Sequence, residues 1–290
     1  MSERKKAAIG DIIKMKGAGR KITVVTAYDY PFALIADKAG FDMILVGDSG
    51  GMVSLGYENT IPVTMDEMII MSKAVSRAAK SSLLVGDMPF MSFQVSREEA
   101  ARNAGRFVKE GGMNAVKIEG GKEFADTVRA IGRAGIPVMC HVGLTPQTAT
   151  LWHGYKVQGK DSRSAQRIIE DAQELESAGA FAIVLEMVTE EVAQIVTEKL
   201  TVPTIGIGSG AYCDGQVLVL HDILGLYDRF TPRFAKKYTD LSSIASQALA
   251  NHRNEVTTGK FPGSEHTFKM DPIELEKLKE RLGKLTEAEV

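Results

Sequence analysis

Eight short apolar runs, each separated from the next by a longer stretch, constrain the fold of this chain more than any other feature. They are ITVVTAY at 22–28, DMILVG at 42–47, SLLVGD at 82–87, AVKIE at 115–119, IPVMCHV at 136–142, FAIVLE at 181–186, VPTIGIG at 202–208 and QVLVLHDILG at 216–225. Their near-continuous apolarity and β-branched content are those of strands buried on both faces. Between them lie stretches such as MDEMIIMSKAVSRAAK and REEAARNAGRFVKEGG, with apolar residues three and four apart and glycine near their ends, the pattern of amphipathic helices. Alternating strand and helix predicts a parallel sheet covered by helices, open or closed. Eight strands favour closure, so the expected fold class is α/β, a (β/α)8 TIM barrel.

At 290 residues the chain falls within the size of one such barrel. No Pro- or Ser-rich linker or low-complexity tract divides it, so residues 1–290 read as a single domain. Its last segment, from about 271, is DPIELEKLKERLGKLTEAEV, which spaces Leu275, Leu278, Leu282 and Leu285 along one helical face. This amphipathic tail is expected to dock on the barrel or on a neighbouring subunit. With 35 Lys and Arg against 37 Asp and Glu, the formal charge of −2 offers no drive toward nucleic acid or an anionic membrane. A small-molecule partner is the expectation. The opening MSERKKAAIGDIIKMKGAGRK lacks the apolar run of a signal peptide and no stretch reaches the length of a membrane span, so a cytoplasmic location is expected. Cys140 and Cys213 show neither a disulfide framework nor thiolate-site spacing and read as structural thiols.

In a (β/α)8 barrel the reactive groups stand at the C-terminal ends of the strands. Here the second run ends in Gly47-Asp48-Ser49, the third in Gly86-Asp87, the fourth carries Lys117 and Glu119, the fifth ends near His141 and the sixth in Glu186. Lys117 and Glu119, two apart on one strand, share a face and would both point into the barrel mouth. So many charges near a core are costly unless a partner compensates them. Asp48, Asp87 and Glu119 offer hard oxygen ligands suited to Mg²⁺ rather than zinc. Each aspartate also reads as a turn or cap residue. Lys117 reads as a salt-bridge partner of Glu119, as a Schiff-base nucleophile, or as the countercharge of a substrate carboxylate, the last being favoured. Glu186 reads as a general base whose apolar strand raises its pKa, or as a rim carboxylate bonded to a loop amide. His141 reads equally as a satisfied core histidine, and His153, His221, His252 and His266 lack metal-ligand spacing. IGIGSG at 205–210 reads as a phosphate cradle or as tight-turn glycines.

Long segments carry a more specific signal. TAYDYPFALIADKAGFDMILVGDSGGMVSLGYENTIPVTMDEM, VGDMPFMSF, GGMNAVKIEGG, MCHVGLTPQ, IGIGSGAYCDGQVLVLHDILG and PRFAKKY together resemble the ketopantoate (3-methyl-2-oxobutanoate) hydroxymethyltransferase family over roughly residues 22–268. The resemblance implies a TIM barrel binding Mg²⁺ at Asp48 and Asp87, with Glu119 completing the metal's surroundings. It further implies a 2-oxo acid that chelates the metal, held by Ser49 and Lys117, and Glu186 as the base that removes its C3 proton. The metal-stabilised enolate then takes a one-carbon unit from 5,10-methylenetetrahydrofolate, giving 2-dehydropantoate for pantothenate and coenzyme A synthesis. Large homo-oligomers, often decamers, are implied by the same resemblance. The alternative enzyme is a metal-dependent 2-oxo acid lyase or aldolase of the isocitrate lyase and phosphoenolpyruvate mutase kind, against which the lack of a KKCG-type motif counts.

Overall fold

A computed structural model of the chain describes residues 4–148, 154–227 and 232–287. All eight expected strands form: β1 (Ile22–Thr26), β2 (Met43–Val46), β3 (Leu83–Asp87), β4 (Ala115–Glu119), β5 (Val138–Gly143), β6 (Ala180–Glu186), β7 (Thr204–Ile207) and β8 (Gly215–Leu218). Each pairs with the next, β8 pairs in parallel with β1, and the barrel closes. The fold is a (β/α)8 TIM barrel. One run is shorter than it reads. The stretch at 216–225 is strand only to Leu218, and Leu220–Leu224 form a short helix ended by Gly225 at φ 64°. A continuous apolar run does not by itself separate a buried strand from a buried helix.

Alternation along the strands sorts the apolar residues into two cores. Ile22, Val24, Met43, Leu45, Leu83, Val85, Ala115, Met139 and Val184 fill the barrel interior. Their neighbours, including Ile44, Val46, Leu84, Val116, Ile118, Cys140, Ile183 and Leu185, face outward against the helices. The period-two geometry of a strand dictates this division. The helix Ile9–Gly17 adds Ile12 and Met15 to the interior cluster. Local signals start the covering helices: Thr64 and Glu67 form a capping box before Met65–Ala78, and Asp161 caps Ser162–Ser177. Cys140 and Cys213 are free and buried. Among the described residues no helix is long and apolar enough to cross a membrane.

The chain packs as two compact units, Met1–Thr239 and Asp240–Val290. The second holds two helices, Leu241–Thr257 and Pro272–Glu287. The amphipathic segment read from about 271 is therefore helical, and a further helix precedes it. Leu275, Leu278 and Leu282 are 39%, 40% and 54% exposed, while the side chain of Leu285 lies outside the described residues.

Candidate active site

The interior layers below the mouth are apolar; the layer at the C-terminal ends of the strands is not. Lys117 and Glu119 continue the inward-facing series of Ala115 on β4, Asp87 that of Val85 on β3, His141 that of Met139 on β5, and Glu186 that of Val184 on β6. Register completes the grouping, since Asp87 pairs with Lys117 and Glu119 with His141 in the ladder. Strand alternation and closure thus bring together charges that are up to 138 positions apart, from Asp48 to Glu186 (186 − 48).

Lys117 Nζ donates to Asp87 Oδ1 at 2.7 Å, with both side chains buried. The amide of Asp48 donates to Asp87 Oδ2 at 3.2 Å. Gln147 ties the remaining acids: its Nε2 donates to Asp48 Oδ2 at 2.9 Å and to the Met88 carbonyl at 3.0 Å, and its amide donates to Glu119 Oε1 at 2.7 Å. His141 stands between two carboxylates, its Nδ1 3.4 Å from Glu119 Oε2 and its Nε2 3.4 Å from Glu186 Oε2, with neither nitrogen in a well-formed hydrogen bond. Ser49 Oγ lies 2.8 Å from Tyr28 Oη. The glycines around Asp48 and Ser49 leave room for these groups: a Cβ on Gly47 would stand 2.8 Å from Ser49 Oγ, and one on Gly50 would stand 2.6 Å from the Tyr28 ring.

Among the described residues of this site, Asp48, Asp87, Glu119 and Glu186 share one cation, Lys117. Burial, and then the charge of Asp87, push Asp48 well above the usual carboxylate range. Burial raises Glu119 to about 8 against the pull of Lys117, and raises Glu186 to about 8 with the charge of Glu119 adding to it. Burial alone would lower Lys117, but Asp87, Glu119 and Asp48 outweigh it and hold the ammonium charged. An amine held in its charged form is a poor Schiff-base nucleophile and a good countercharge. Burial, then Lys117, lower His141 to about 3, so the imidazole is neutral.

The surplus of acidic groups over the single Lys117, and the all-oxygen donor set, fit a hard divalent cation at Asp48 and Asp87, and Asp48 Oδ1 has no hydrogen-bond partner among the described residues. Glu119 is turned toward the Gln147 amide and His141. Among the described residues no three His, Cys, Asp or Glu groups converge on one point as a ready-made metal cage. The structure therefore brings every sequence-predicted site residue to one mouth, but does not join Asp48, Asp87 and Glu119 as three ligands of one ion. Lys117 pairs with Asp87 rather than Glu119. In IGIGSG, Ser209 is buried and tied to β6, donating to the Leu185 carbonyl at 2.8 Å and accepting from the Val188 amide at 3.0 Å. No helix opens there; Gly206 lies within β7, and Gly208 and Gly210, at φ 66° and 79°, serve the turn. His153 lies outside the described residues.

Two residues of the mouth carried no warning in the sequence. Gln147 is neutral and sits in the helical turn that follows β5, and Tyr28 ends an apolar run; only the folded geometry shows that one orders two carboxylates and the other meets Ser49.

A closed parallel barrel with buried carboxylates gathered around one lysine at its C-terminal mouth defines an enzyme of the (β/α)8 class. A sequence model of the family described as ketopantoate hydroxymethyltransferase matches residues 6–264, and the chain belongs to that family and is a transferase. It is 55% identical over 276 residues, 95% of this chain and 99% of the relative, to the 3-methyl-2-oxobutanoate hydroxymethyltransferase of Nitrosopumilus maritimus. It is 54% identical over 273 residues, 94% and 99% of the two chains, to that of Carboxydothermus hydrogenoformans. Among solved structures, a phosphonopyruvate hydrolase aligns at TM-score 0.61 with 14% identity over 96% of this chain and 98% of that one. A 2,3-dimethylmalate lyase of the PEP mutase/isocitrate lyase superfamily aligns at 0.54 with 17% identity over 97% and 99%. These two likenesses concern the fold.

Proposed function

We propose that the chain transfers a hydroxymethyl group from 5,10-methylenetetrahydrofolate to 3-methyl-2-oxobutanoate, forming 2-dehydropantoate and tetrahydrofolate with consumption of one water. The observation that carries this reading is the set of three buried carboxylates and the part-buried Glu186 around Lys117, in a chain more than half identical to transferases of that name. Asp48 and Asp87 would hold a divalent cation, Mg²⁺ in this reading. Two carboxylates with the other positions left to substrate and water is how that ion is commonly held. When bound, the cation supplies a Lewis acid that draws electron density from the acceptor's keto group.

The chain's own residues do the rest. Lys117, held charged by its acids, sets a positive charge against the acceptor carboxylate, and Ser49, with its hydroxyl at Tyr28, offers a hydrogen bond beside it. Glu186 takes the C3 proton. Its carboxyl, raised to about 8 by burial, is a stronger base than an exposed glutamate, and Lys117 pulls it back toward the ionised form the step needs. The C3 electron pair then bonds to the donor's methylene carbon, the carbon–nitrogen bonds of that methylene break, and water supplies the hydroxyl. The nitrogens of tetrahydrofolate take up protons.

Exchange of the C3 hydrogen of 3-methyl-2-oxobutanoate in D2O, followed by NMR with Mg²⁺ and no donor, tests the reading. Wild type should exchange, Glu186→Gln should not, and adding donor should convert exchange into product. No exchange by folded wild type would sink the proposal. Breakdown of the 2-oxo acid without donor would assign the site to lyase chemistry instead.

A further inference from the structure

Glu119, His141 and Glu186 stand on β4, β5 and β6, three successive strands of the barrel. Their side chains form a row across the mouth with the imidazole in the middle, Nδ1 3.4 Å from Glu119 Oε2 and Nε2 3.4 Å from Glu186 Oε2. His141 is 1% exposed, and neither ring nitrogen is in a well-formed hydrogen bond. Leaving a buried donor unsatisfied is costly, and the two carboxyls that would satisfy this ring stand just beyond hydrogen-bond length. Hydrogen bonds of active sites commonly tighten to full length only when substrate binds.

The two acids meet the ring differently. Glu119 Oε1 accepts from the Gln147 amide at 2.7 Å, so Oε2 is the oxygen it turns to Nδ1. The Glu186 carboxyl makes no hydrogen bond among the described residues; His141 stands against its Oε2, and Oε1 is left open. Beyond Glu119 the row continues through Gln147, whose Nε2 donates to Asp48 Oδ2 at 2.9 Å. The base is thus linked, through His141, Glu119 and Gln147, to one of the acids assigned to the cation.

Which nitrogen carries the hydrogen decides what the ring can do. A neutral imidazole donates from one nitrogen and accepts at the other. If Nδ1 carried the only hydrogen, Nε2 would need one from Glu186, and a protonated carboxyl cannot take the C3 proton. With the hydrogen on Nε2, it points at Glu186 Oε2, and Nδ1 accepts from Glu119. A doubly protonated ring would also carry a hydrogen on Nε2. Every arrangement that leaves Glu186 ionised, with no two lone pairs facing each other, therefore has a hydrogen there. The Leu144 carbonyl beside the ring is the competing acceptor, so the position of the hydrogen is the point to measure.

Resting on the assignment of Glu186 as the base, we infer that His141 is its positioning residue. The Nε2–H group donates to Glu186 Oε2, fixes the rotation of the carboxylate and leaves Oε1 as the atom that takes the C3 proton. His141 acts through Glu186, so acceptor binding does not depend on it.

Donor-free exchange of the C3 hydrogen of 3-methyl-2-oxobutanoate, followed by NMR in D2O with Mg²⁺, tests this in two variants of similar shape. The amide nitrogen of glutamine can take the place of imidazole Nε2, whereas methionine has no donor to put there. His141→Met should lower kcat for exchange by about tenfold or more, with the KM for the acceptor within about twofold, and His141→Gln should recover most of the loss. In wild type labelled with 15N in its histidines, under the conditions in which it exchanges, the His141 ring should carry hydrogen on Nε2. Equal losses in the two folded variants, or a ring with hydrogen on Nδ1 alone, would overturn the inference. If wild type exchanges and Glu186→Gln does not, the base assignment stands without it. A folded wild type that does not exchange loses both.

Discussion

Asp42 and Asp48 stand at opposite ends of β2, six positions apart, in surroundings that differ in kind. Asp42 accepts from the amide and hydroxyl of Thr23 at 2.9 and 2.8 Å and pairs with Arg20 at 2.8 Å. Other acids at that N-terminal end are equally engaged. Burial pushes Asp37 up, but the amides of Lys80, Ser82 and Ser81 outweigh it and hold the carboxyl below its usual range. Asp214 joins Lys16 at 2.9 Å to the amide of Thr204 at 2.8 Å. At the other end Asp48 has the Gln147 amide group and, beside it, a second carboxylate that repels it. The same functional group locks the strand starts where its lone pairs are filled, and is left poised for a ligand where they are not.

The largest effect that tests this division is on turnover. Glu186→Gln should lower kcat by about 10²–10⁴-fold while the thermal midpoint stays level or rises, because a costly buried carboxyl has been removed. A loss below tenfold in a folded protein would break the assignment. At the opposite end the signs reverse. Asp42→Ala strands the Thr23 amide and should cost about 2–3 kcal/mol in a denaturant titration, with kcat per folded molecule within twofold of wild type. Full stability with lost turnover would erase the distinction between the ends. Between these lies Gln147→Met, which keeps the side-chain shape but removes the donor to Asp48. Mn²⁺ affinity, read by electron paramagnetic resonance, should fall about 10–100-fold, and unchanged affinity would show that Asp48 needs no such support.

Proton linkage sharpens the comparison further. Glu186 is raised to about 8, so the folded state keeps a proton that the unfolded chain releases near an ordinary glutamate value. Its contribution is fully present below that ordinary value and is lost as pH rises toward 8. His141, lowered to about 3, works the other way but has finished by its ordinary value of about 6.5. Glu119, also raised to about 8, adds to the same loss, so metal-free protein should lose stability between about pH 6.5 and 8, on the order of 1–2 kcal/mol for each of the two carboxyls, and Glu186→Gln should remove about half of that slope. A wild-type profile that is flat across this window would mean that Glu186 is ionised well below it.

What the sequence made legible follows the same line. Strands buried on both faces declare themselves through continuous β-branched runs, and acids at strand ends declare a rim, so the barrel and its charged residues could be read directly. The state of each acid could not. Asp37, Asp42 and Asp48 look alike as letters, and only closure of the barrel shows that the first two are saturated and the third is not. Gln147 was invisible because a neutral amide in a short helical turn has no pattern. The eighth run was overextended because VLVLHDIL satisfies buried strand and buried helix alike.

Backbone strain divides the ends as well. Among the described residues the two non-glycine positions at positive φ, Met91 at 66° and Met187 at 47°, both follow strands at the catalytic end, after β3 and β6. Met187 directly follows Glu186 and is clamped on both sides, its amide donating to the Ile207 carbonyl at 2.9 Å and its carbonyl accepting from Gln158 at 2.7 Å. A left-handed conformation costs a residue with a side chain about 1–2 kcal/mol, and such strain persists where the surroundings enforce it. Met187→Gly should relieve it, offset in part by about 0.4–1 kcal/mol of added freedom in the unfolded chain, for a net gain between about 0 and 1.6 kcal/mol. If the strained turn aims Glu186, that gain comes with a several-fold fall in kcat and little change in the KM for the acceptor. A stabilised variant with unchanged kcat would show that the turn serves the loop rather than the base, and would leave the two ends distinguished by their carboxylates alone.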